Sequence, residues 1–149
     1  MSYLWPPSQK ALIAIKKKIK VSNICNLNES LLATGFSYKI RKAKDDNVGH
    51  FKDFLRVSQA VRRAGSASLD LCYVACGRFD GFWELDLNPW DTAAGWLIIK
   101  EAGGKVTAFN SSKYNPFLKE ILASNGKIHR EMSRILTKQN SKNPRLNTV

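Results

Sequence analysis

Three acidic side chains lie close together in the middle of the chain. Glu84 and Asp86 fall in an alternating, aromatic stretch, residues 81–87, which predicts a β-strand that carries both on one face. Asp91 follows at the start of a predicted helix, where it would act as the N-cap. Carboxylates at the end of a strand in an α/β sheet could bind Mg²⁺, which prefers oxygen ligands. Helix capping alone would also account for Asp91.

A run of small residues follows two arginines, Arg62 and Arg63. Gly65 and Ser66 predict the start of a helix, with Ser66 as its N-cap. The free N–H groups at such an end attract phosphate, and neighbouring arginines would strengthen the attraction. A tight turn with a serine cap and two solvated arginines has the same sequence, so both interpretations stay open.

The remaining pattern consists of short apolar strands that alternate with helices, which predicts a layered α/β domain. The domain is expected over residues 19–138, between an unpatterned segment (1–18) and a basic polar tail (139–149). Predicted strands are 19–21, 31–34, 81–87, 105–109 and 121–123, and predicted helices are 50–62, 66–76, 91–101 and 128–138.

Several of these stretches together resemble the inositol monophosphatase family. The strongest match is Trp90 to Gly95 (WDTAAG), which Glu101 to Gly104 (EAGG) follow. Residues 62–67 (RRAGSA), Glu84 with Leu85, residues 31–36 (LLATGF) and residues 121–125 (ILASN) fit the same family in order and spacing. The resemblance covers about residues 19–135.

The resemblance implies the C-terminal half of the family's αβαβα sandwich. It also implies a Mg²⁺-dependent phosphomonoesterase that hydrolyses myo-inositol monophosphate. Asp91 matches the family's metal-ligand aspartate, and Glu84 matches the acid that binds inositol hydroxyls. Gly65, Ser66 and Ala67 match the segment that lines the substrate pocket.

The chain departs from the family in ways that bear on activity. Family members are nearly twice as long, and their other metal ligands lie in Gly-Glu-Glu and Asp-Pro-x-Asp-Gly-Thr segments. This sequence contains no Gly-Glu and no Asp-Pro pair. We therefore expect a truncated chain that is inactive alone and needs a partner carrying the other half. Ser37 and Ser68 stand where proline and alanine are expected, and Asp86 where glycine is expected.

The net charge of +12 lies mostly at the two ends of the chain. Charged ends are more often solvated than bound to nucleic acid, so a nucleic-acid-associated protein is the weaker alternative. A non-catalytic remnant, or an interaction subunit that pairs with a full-length relative, is the stronger one. Homodimerisation is expected from the family.

The sequence has 3 cysteines, an odd number, and neither histidine stands at metal-ligand spacing from them. Both facts favour a protein whose cysteines are reduced. We therefore expect a cytoplasmic location. Cys72 and Cys76 are expected to be small core residues. No apolar run approaches the length of about 18 residues that a membrane helix requires, so no membrane association is expected.

Overall fold

A computed structural model describes residues 13–14, 17–37 and 47–142. Its helices are α1 (Val48–Leu55), α2 (Ala67–Ala75), α3 (Pro89–Glu101) and α4 (His129–Lys142), and a 3₁₀ turn spans Leu27–Glu29. Its strands are β1 (Ile13–Ala14), β2 (Lys17–Lys18), β3 (Leu31–Thr34), β4 (Ala60–Arg62), β5 (Gly81–Leu85), β6 (Lys105–Thr107) and β7 (Glu120–Ser124).

Five strands form one mixed sheet in the order β4-β3-β5-β7-β6, which confirms the α/β class. β3 runs parallel to both β4 and β5, and Thr34 lies opposite Trp83. β7 is antiparallel to β5 and β6. β1 and β2 form a separate antiparallel pair. The central strand β5, which carries Glu84, is therefore fixed on both sides.

The sheet separates two apolar clusters, and the alternation along each strand decides which side a residue joins. Phe82 packs in a cluster with Leu71 of α2 and Ile99 of α3. Its neighbour Trp83 packs on the other side with Phe54 of α1 and Met132 of α4. The domain thus has three layers, with α2 and α3 on one face and α1 and α4 on the other.

Helices α2 and α3 pack closely because Gly95 has no side chain. A Cβ at Gly95 would lie 2.6 Å from the Cβ of Leu71, which is closer than packed atoms allow. This contact brings the N-terminal ends of both helices to the carboxyl end of β5. The last glycine of the WDTAAG stretch is therefore a packing requirement.

Two predicted elements in the first half of the domain are wrong. Helix α1 ends at Leu55, and residues 60–62 form the edge strand β4, because they pair with β3. Val61 was predicted to continue the helical repeat of apolar residues, but it lies in β4 and pairs with β3. Residues 19–21 form no strand; they run as a loop whose Val21 N–H bonds the Ala102 carbonyl at 3.3 Å.

Other boundaries shift by a few residues. β5 ends at Leu85 and β6 at Thr107, each two residues early. Helix α4 continues to Lys142, so residues 139–142 of the predicted tail are helical, while 143–149 lie outside the described residues. Cys72 and Cys76 are half-buried rather than core residues. Within the described ranges, no helix has the length and apolar character to cross a membrane.

Asp80, just before β5, joins three distant parts of the chain. Its Oδ1 accepts a hydrogen bond from Ser22 Oγ (2.5 Å), and its Oδ2 accepts one from the Leu31 N–H (2.6 Å). Its carbonyl accepts the Asn125 N–H at 2.9 Å, and Asn125 Nδ2 donates to Ser22 Oγ and the Ile24 carbonyl. This network holds the N-terminal loop against the end of the sheet opposite the acidic residues.

Candidate functional site

A cavity of about 500 Å³ opens where β5 ends and α2 and α3 begin. Its lining comes from the loop after β3, the turn before α2, and the segment that joins β5 to α3. The lining residues are Gly35, Phe36, Ser37, Arg63, Gly65, Ser66, Ala67, Ser68, Asp70, Glu84, Asp86, Leu87, Asn88, Trp90, Asp91 and Lys119. Every site residue that the sequence predicted lies on this cavity.

The predicted pocket segment forms the start of α2. Gly65 takes a left-handed φ of +89°, Ser66 is the N-cap, and Ala67 is the first helical residue. Ser66 Oγ accepts the Leu69 N–H at 3.5 Å. Helix α2 therefore presents its positive end and its first N–H groups at the cavity, as an anion-binding helix end would.

Glu84 projects from β5 into the acidic part of the cavity and is 8% exposed. A Cβ at Gly35 would collide with the Glu84 carboxyl group, so glycine is required beside it. Among the described residues, no hydrogen-bond donor reaches this carboxyl group. Burial, together with the charges of Asp70 and Asp91, raises the pKa of Glu84 to about 7, and Arg63 partly offsets the rise.

Asp70 is the cavity residue that the sequence reasoning missed. It lies in the first turn of α2, is 1% exposed, and its Oδ1 has no hydrogen-bond partner within the described ranges. Burial raises the pKa of Asp70 to about 6. The signal available in the sequence was an acidic residue on the apolar side of a helix, next to Leu71.

Asp91 is not the N-cap of α3, contrary to the prediction. Asn88 is the N-cap, and Asp91 sits three residues later, where its Oδ2 accepts the Asn88 N–H at 3.0 Å in a capping box. Lys119 Nζ lies 3.5 Å from Asn88 Oδ1. Asp91 therefore has one carboxylate oxygen committed to the helix end.

The donor set for a metal ion is incomplete in this part of the protein. Across the described residues, no group of three or more histidine, cysteine, aspartate or glutamate side chains is arranged to hold a metal ion. One partly committed carboxylate, Asp91, does not satisfy a cation that needs about six oxygen ligands. The residues present therefore do not by themselves fit a Mg²⁺ site.

Two of the departures from the family pattern contact each other. Asp86 follows β5 with a φ of +60°, a conformation that glycine adopts more readily. Its Oδ2 accepts a hydrogen bond from Ser37 Oγ at 2.7 Å. The turn that ends β5 is thus stabilised by a side-chain contact across the cavity rim. Because the left-handed turn takes Asp86 out of the strand, Glu84 and Asp86 do not share a strand face.

Behind the cavity, Asn47 fixes the ends of β3 and β5. Its Nδ2 donates to Thr34 Oγ1 (2.9 Å) and the Gly35 carbonyl (2.8 Å), and its Oδ1 accepts from Trp83 Nε1 (2.8 Å). Thr34 Oγ1 in turn donates to the Trp83 carbonyl at 2.6 Å. Gly35 and Glu84 are therefore held by a buried network that depends on one side chain.

Comparison with known proteins places this geometry in one family. The model of the inositol monophosphatase family matches residues 7–142. The chain is 49% identical over 121 residues to an inositol-1-monophosphatase of Synechocystis, which covers 81% of this chain and 42% of that protein. The chain belongs to the inositol monophosphatase family.

The solved structures agree with this assignment. An inositol monophosphatase from Anabaena (Nostoc) matches with a TM-score of 0.80 and 48% identity, over 83% of this chain and 49% of that one. A protein of Neisseria meningitidis described as a putative Nus factor SuhB is 43% identical over 128 residues, 86% of this chain and 49% of that protein. The chain spans about half the length of these relatives.

Proposed function

We propose that this chain supplies the polyol-binding part of a Mg²⁺-dependent phosphomonoesterase acting on myo-inositol monophosphate or a related small phosphomonoester. The observation that carries the proposal is the shared cavity, in which Glu84, Asp91 and the Gly65–Ala67 segment face one space of about 500 Å³. The family membership and the relatives named inositol-1-monophosphatase support the same reaction.

In this proposal each residue has a distinct task. Glu84 takes the hydroxyl groups of the polyol, and residues 65–67 line the substrate with backbone N–H groups at the α2 end. Asp91 would offer one oxygen to a magnesium ion whose other ligands would come from a second polypeptide. Since the chain holds no complete donor set in its described part, we expect it to be inactive alone.

The test is phosphate release from inositol 1-phosphate, with and without Mg²⁺. The chain is assayed alone and mixed with a polypeptide that carries the family's Gly-Glu-Glu and Asp-Pro-x-Asp-Gly-Thr segments. We expect Mg²⁺-dependent turnover only in the mixture, and its loss in Asp91→Asn. Turnover by the chain alone would contradict the proposed division of the site, and no turnover by a folded complex would contradict the enzyme.

Substrate recognition by Glu84 is tested in the same complex. Glu84→Gln should reduce turnover of inositol 1-phosphate much more than turnover of a simple aryl phosphate, which offers no polyol hydroxyls. An equal loss on both substrates would show that Glu84 acts on the structure of the site.

A binding role without catalysis is the second candidate. Its support is the similarity to relatives that are described as Nus factors, 43% identical over 128 residues in one case. In that role the chain would pair with a larger relative or with another macromolecule and leave the cavity unused. A folded complex that forms stably but releases no phosphate would favour this candidate.

A cytoplasmic location also belongs to the proposal. It is supported by the three free thiols, of which Cys25 is exposed, since reduced cysteines are typical of reducing compartments.

A further inference from the structure

Asn47 stands immediately before α1, at the position of its N-cap, but its side chain does not serve the helix. Its carbonyl accepts the Phe51 N–H at 3.0 Å, whereas its amide group makes no capping hydrogen bond within the described part of the chain. Asparagine is among the residues that usually cap a helix with the side chain. Because Asn47 is only 2% exposed, its amide group is buried for a purpose other than helix formation.

The amide group is committed to the two strands that end at the cavity. Nδ2 donates to Thr34 Oγ1 (2.9 Å) and to the Gly35 carbonyl (2.8 Å), and Oδ1 accepts from Trp83 Nε1 (2.8 Å). Thr34 and Trp83 are partners in the pairing of β3 with β5. Breaking any of these bonds would leave a buried polar atom unpaired, so the amide group fixes the groups that it bonds. The end of β3 is therefore fixed to β5 at the residue just before Glu84.

Gly35 in turn contacts Glu84 directly. The Glu84 carboxyl group occupies the space beside Gly35 that a Cβ would take. The next residue of this loop is held by the same helix, since the rings of Phe36 and Phe51 pack edge to face with centroids 5.7 Å apart. Helix α1 and the residue before it thus hold the loop after β3 at two successive positions. The position of this loop limits where the Glu84 carboxyl group can lie.

We propose that Asn47 is a positioning residue for polyol recognition: by holding the Gly35 carbonyl and the Trp83 indole, it fixes Glu84 in the orientation that takes ligand hydroxyls. The inference rests on the proposed function, because that function assigns the polyol hydroxyls to Glu84. Asn47 is not among the residues that line the cavity, so it acts through Gly35 and Glu84. A carboxyl group that is free to move would select poorly between a polyol and a simpler ligand.

The test variants separate the side chain of Asn47 from its backbone. Asn47→Gly removes the amide group and keeps the left-handed φ of +63°, which glycine adopts freely. Thr34→Val is a milder change that removes one partner of the amide group and keeps the shape of the side chain. Asn125→Ala is the matched control, since Asn125 is 4% exposed and its amide group bonds Ser22 and Ile24 at the opposite end of the sheet.

The first measurement needs no ligand and follows the Glu84 carboxyl group by ¹³C NMR titration of the 149-residue chain. Burial, together with the charges of Asp70 and Asp91, raises the pKa of Glu84 from 4.5 to about 7. A carboxyl group that is no longer held against Gly35 gains water, so Asn47→Gly should lower this pKa by about one unit. Thr34→Val should lower it less, and Asn125→Ala should leave it unchanged.

The second measurement is myo-inositol binding to the same chain, by calorimetry or ligand-observed NMR. Asn47→Gly should weaken binding about tenfold, the loss expected when a hydrogen bond to a charged group is no longer aligned. Asn125→Ala should keep the wild-type affinity. The double variant Asn47→Gly/Glu84→Gln should bind no more weakly than Glu84→Gln alone, because residues that act as one unit are not additive.

Three results would overturn the inference. They are an unchanged Glu84 pKa in folded Asn47→Gly or Thr34→Val, a loss of affinity in Asn47→Gly no larger than that in Asn125→Ala, and additive losses in the double variant. The proposed function fails separately, if the two-part complex releases no phosphate with Mg²⁺ or the wild-type chain binds no myo-inositol near the solubility limit of the sugar. A lowered Glu84 pKa in Asn47→Gly together with that failure would refute polyol recognition and leave only the placement of Glu84.

Discussion

Glu84 occupies its position because Gly35 has no side chain. The glycine does more than permit a turn, since it makes the space that the carboxyl group fills. Residues 31–36, which match the family, therefore help to shape the site, although Gly35 itself has no functional group.

The prediction at this residue is that Gly35→Ala displaces the Glu84 carboxyl group. We expect the free energy of unfolding to fall by about 1–3 kcal/mol, as for other substitutions that overfill a packed site, and inositol affinity to fall with it. Urea denaturation and inositol titration measure the two effects. In a Glu84→Ala background, the same substitution should be nearly neutral, because its collision partner is gone; an unchanged destabilisation would refute the contact.

A second residue-scale prediction concerns Asp70 and pH. The pKa of Asp70 is about 6 in the folded chain against 3.8 for the free side chain, so the folded state binds more protons between these values. Its contribution to stability is therefore present below pH 3.8 and is lost as the pH rises through about 6. Asp70→Asn should consequently be more stable than the wild type at pH 8, by about 3 kcal/mol.

The measurement is the difference in unfolding free energy between wild type and Asp70→Asn across pH 4 to 8. The difference is needed because buried His129 has a pKa lowered to about 4, which gives stability the opposite pH slope. We expect the advantage of the variant to grow up to about pH 6 and then level off. An advantage that does not depend on pH would show that Asp70 does not titrate in the folded state.

At the scale of elements, the site depends on the contact between α2 and α3. Gly95→Val should force the two helices apart, move Asp70 and Asp91, and lower the unfolding free energy by about 1–3 kcal/mol. Ala94→Val is the control, since Ala94 is exposed one residue earlier and its substitution lowers helix propensity, whereas Gly95→Val raises it slightly. A loss in Gly95→Val no larger than that in Ala94→Val, measured by urea denaturation, would contradict the packing clash.

Elements with strong local signals could be predicted from the sequence. Ser66 caps α2 as predicted, the double glycine after Glu101 ends α3, and β3 has the predicted bounds. Strand β4 was missed because its three residues are held by pairing with β3, which is a long-range contact that leaves no local pattern. Ile19 and Val21 are apolar because the loop packs on the core, and their pattern alone does not distinguish such a loop from a strand.

Part of the site could also be predicted because its residues lie in stretches with strong local signals. Glu84, Asp91 and residues 65–67 stood in recognisable stretches, and the structure brings them to one cavity. Asp70 was missed because only packing shows that it is buried, and the Ser37–Asp86 contact because it spans 49 residues of sequence. The start of α3 was predicted about one turn too late, at Asp91, because Asn88 is the N-cap and Pro89 begins the helix.

At the scale of the whole molecule, the chain spans about half the length of its relatives. The residues around its cavity are apolar as well as charged. Trp90, beside Asp91, is 78% exposed, whereas Trp83 is fully buried. A large aromatic residue exposed at a cavity rim is typical of a surface that another chain covers. In the proposed complex, the polypeptide that completes the metal site would cover it.

Trp90 therefore reports on the formation of that complex. Acrylamide should quench Trp90 fluorescence strongly in the chain alone and weakly after the complementary polypeptide is added. Trp90→Phe should abolish this change, which assigns the signal to one residue. Quenching that is unaffected by a partner that restores turnover would show that the partner binds elsewhere.

The Asp80 network ties the fold together over a range that no single element spans. The Leu31 amide donates to a buried carboxylate, and the Asn125 amide donates to the carbonyl of the same residue. The other carboxylate oxygen of Asp80 accepts from Ser22, so both amides are bonded to a residue that also holds the N-terminal loop. Their hydrogens should exchange with deuterium only when the whole domain opens, so the slowest exchange in the molecule should be found at the end of the sheet farthest from the cavity.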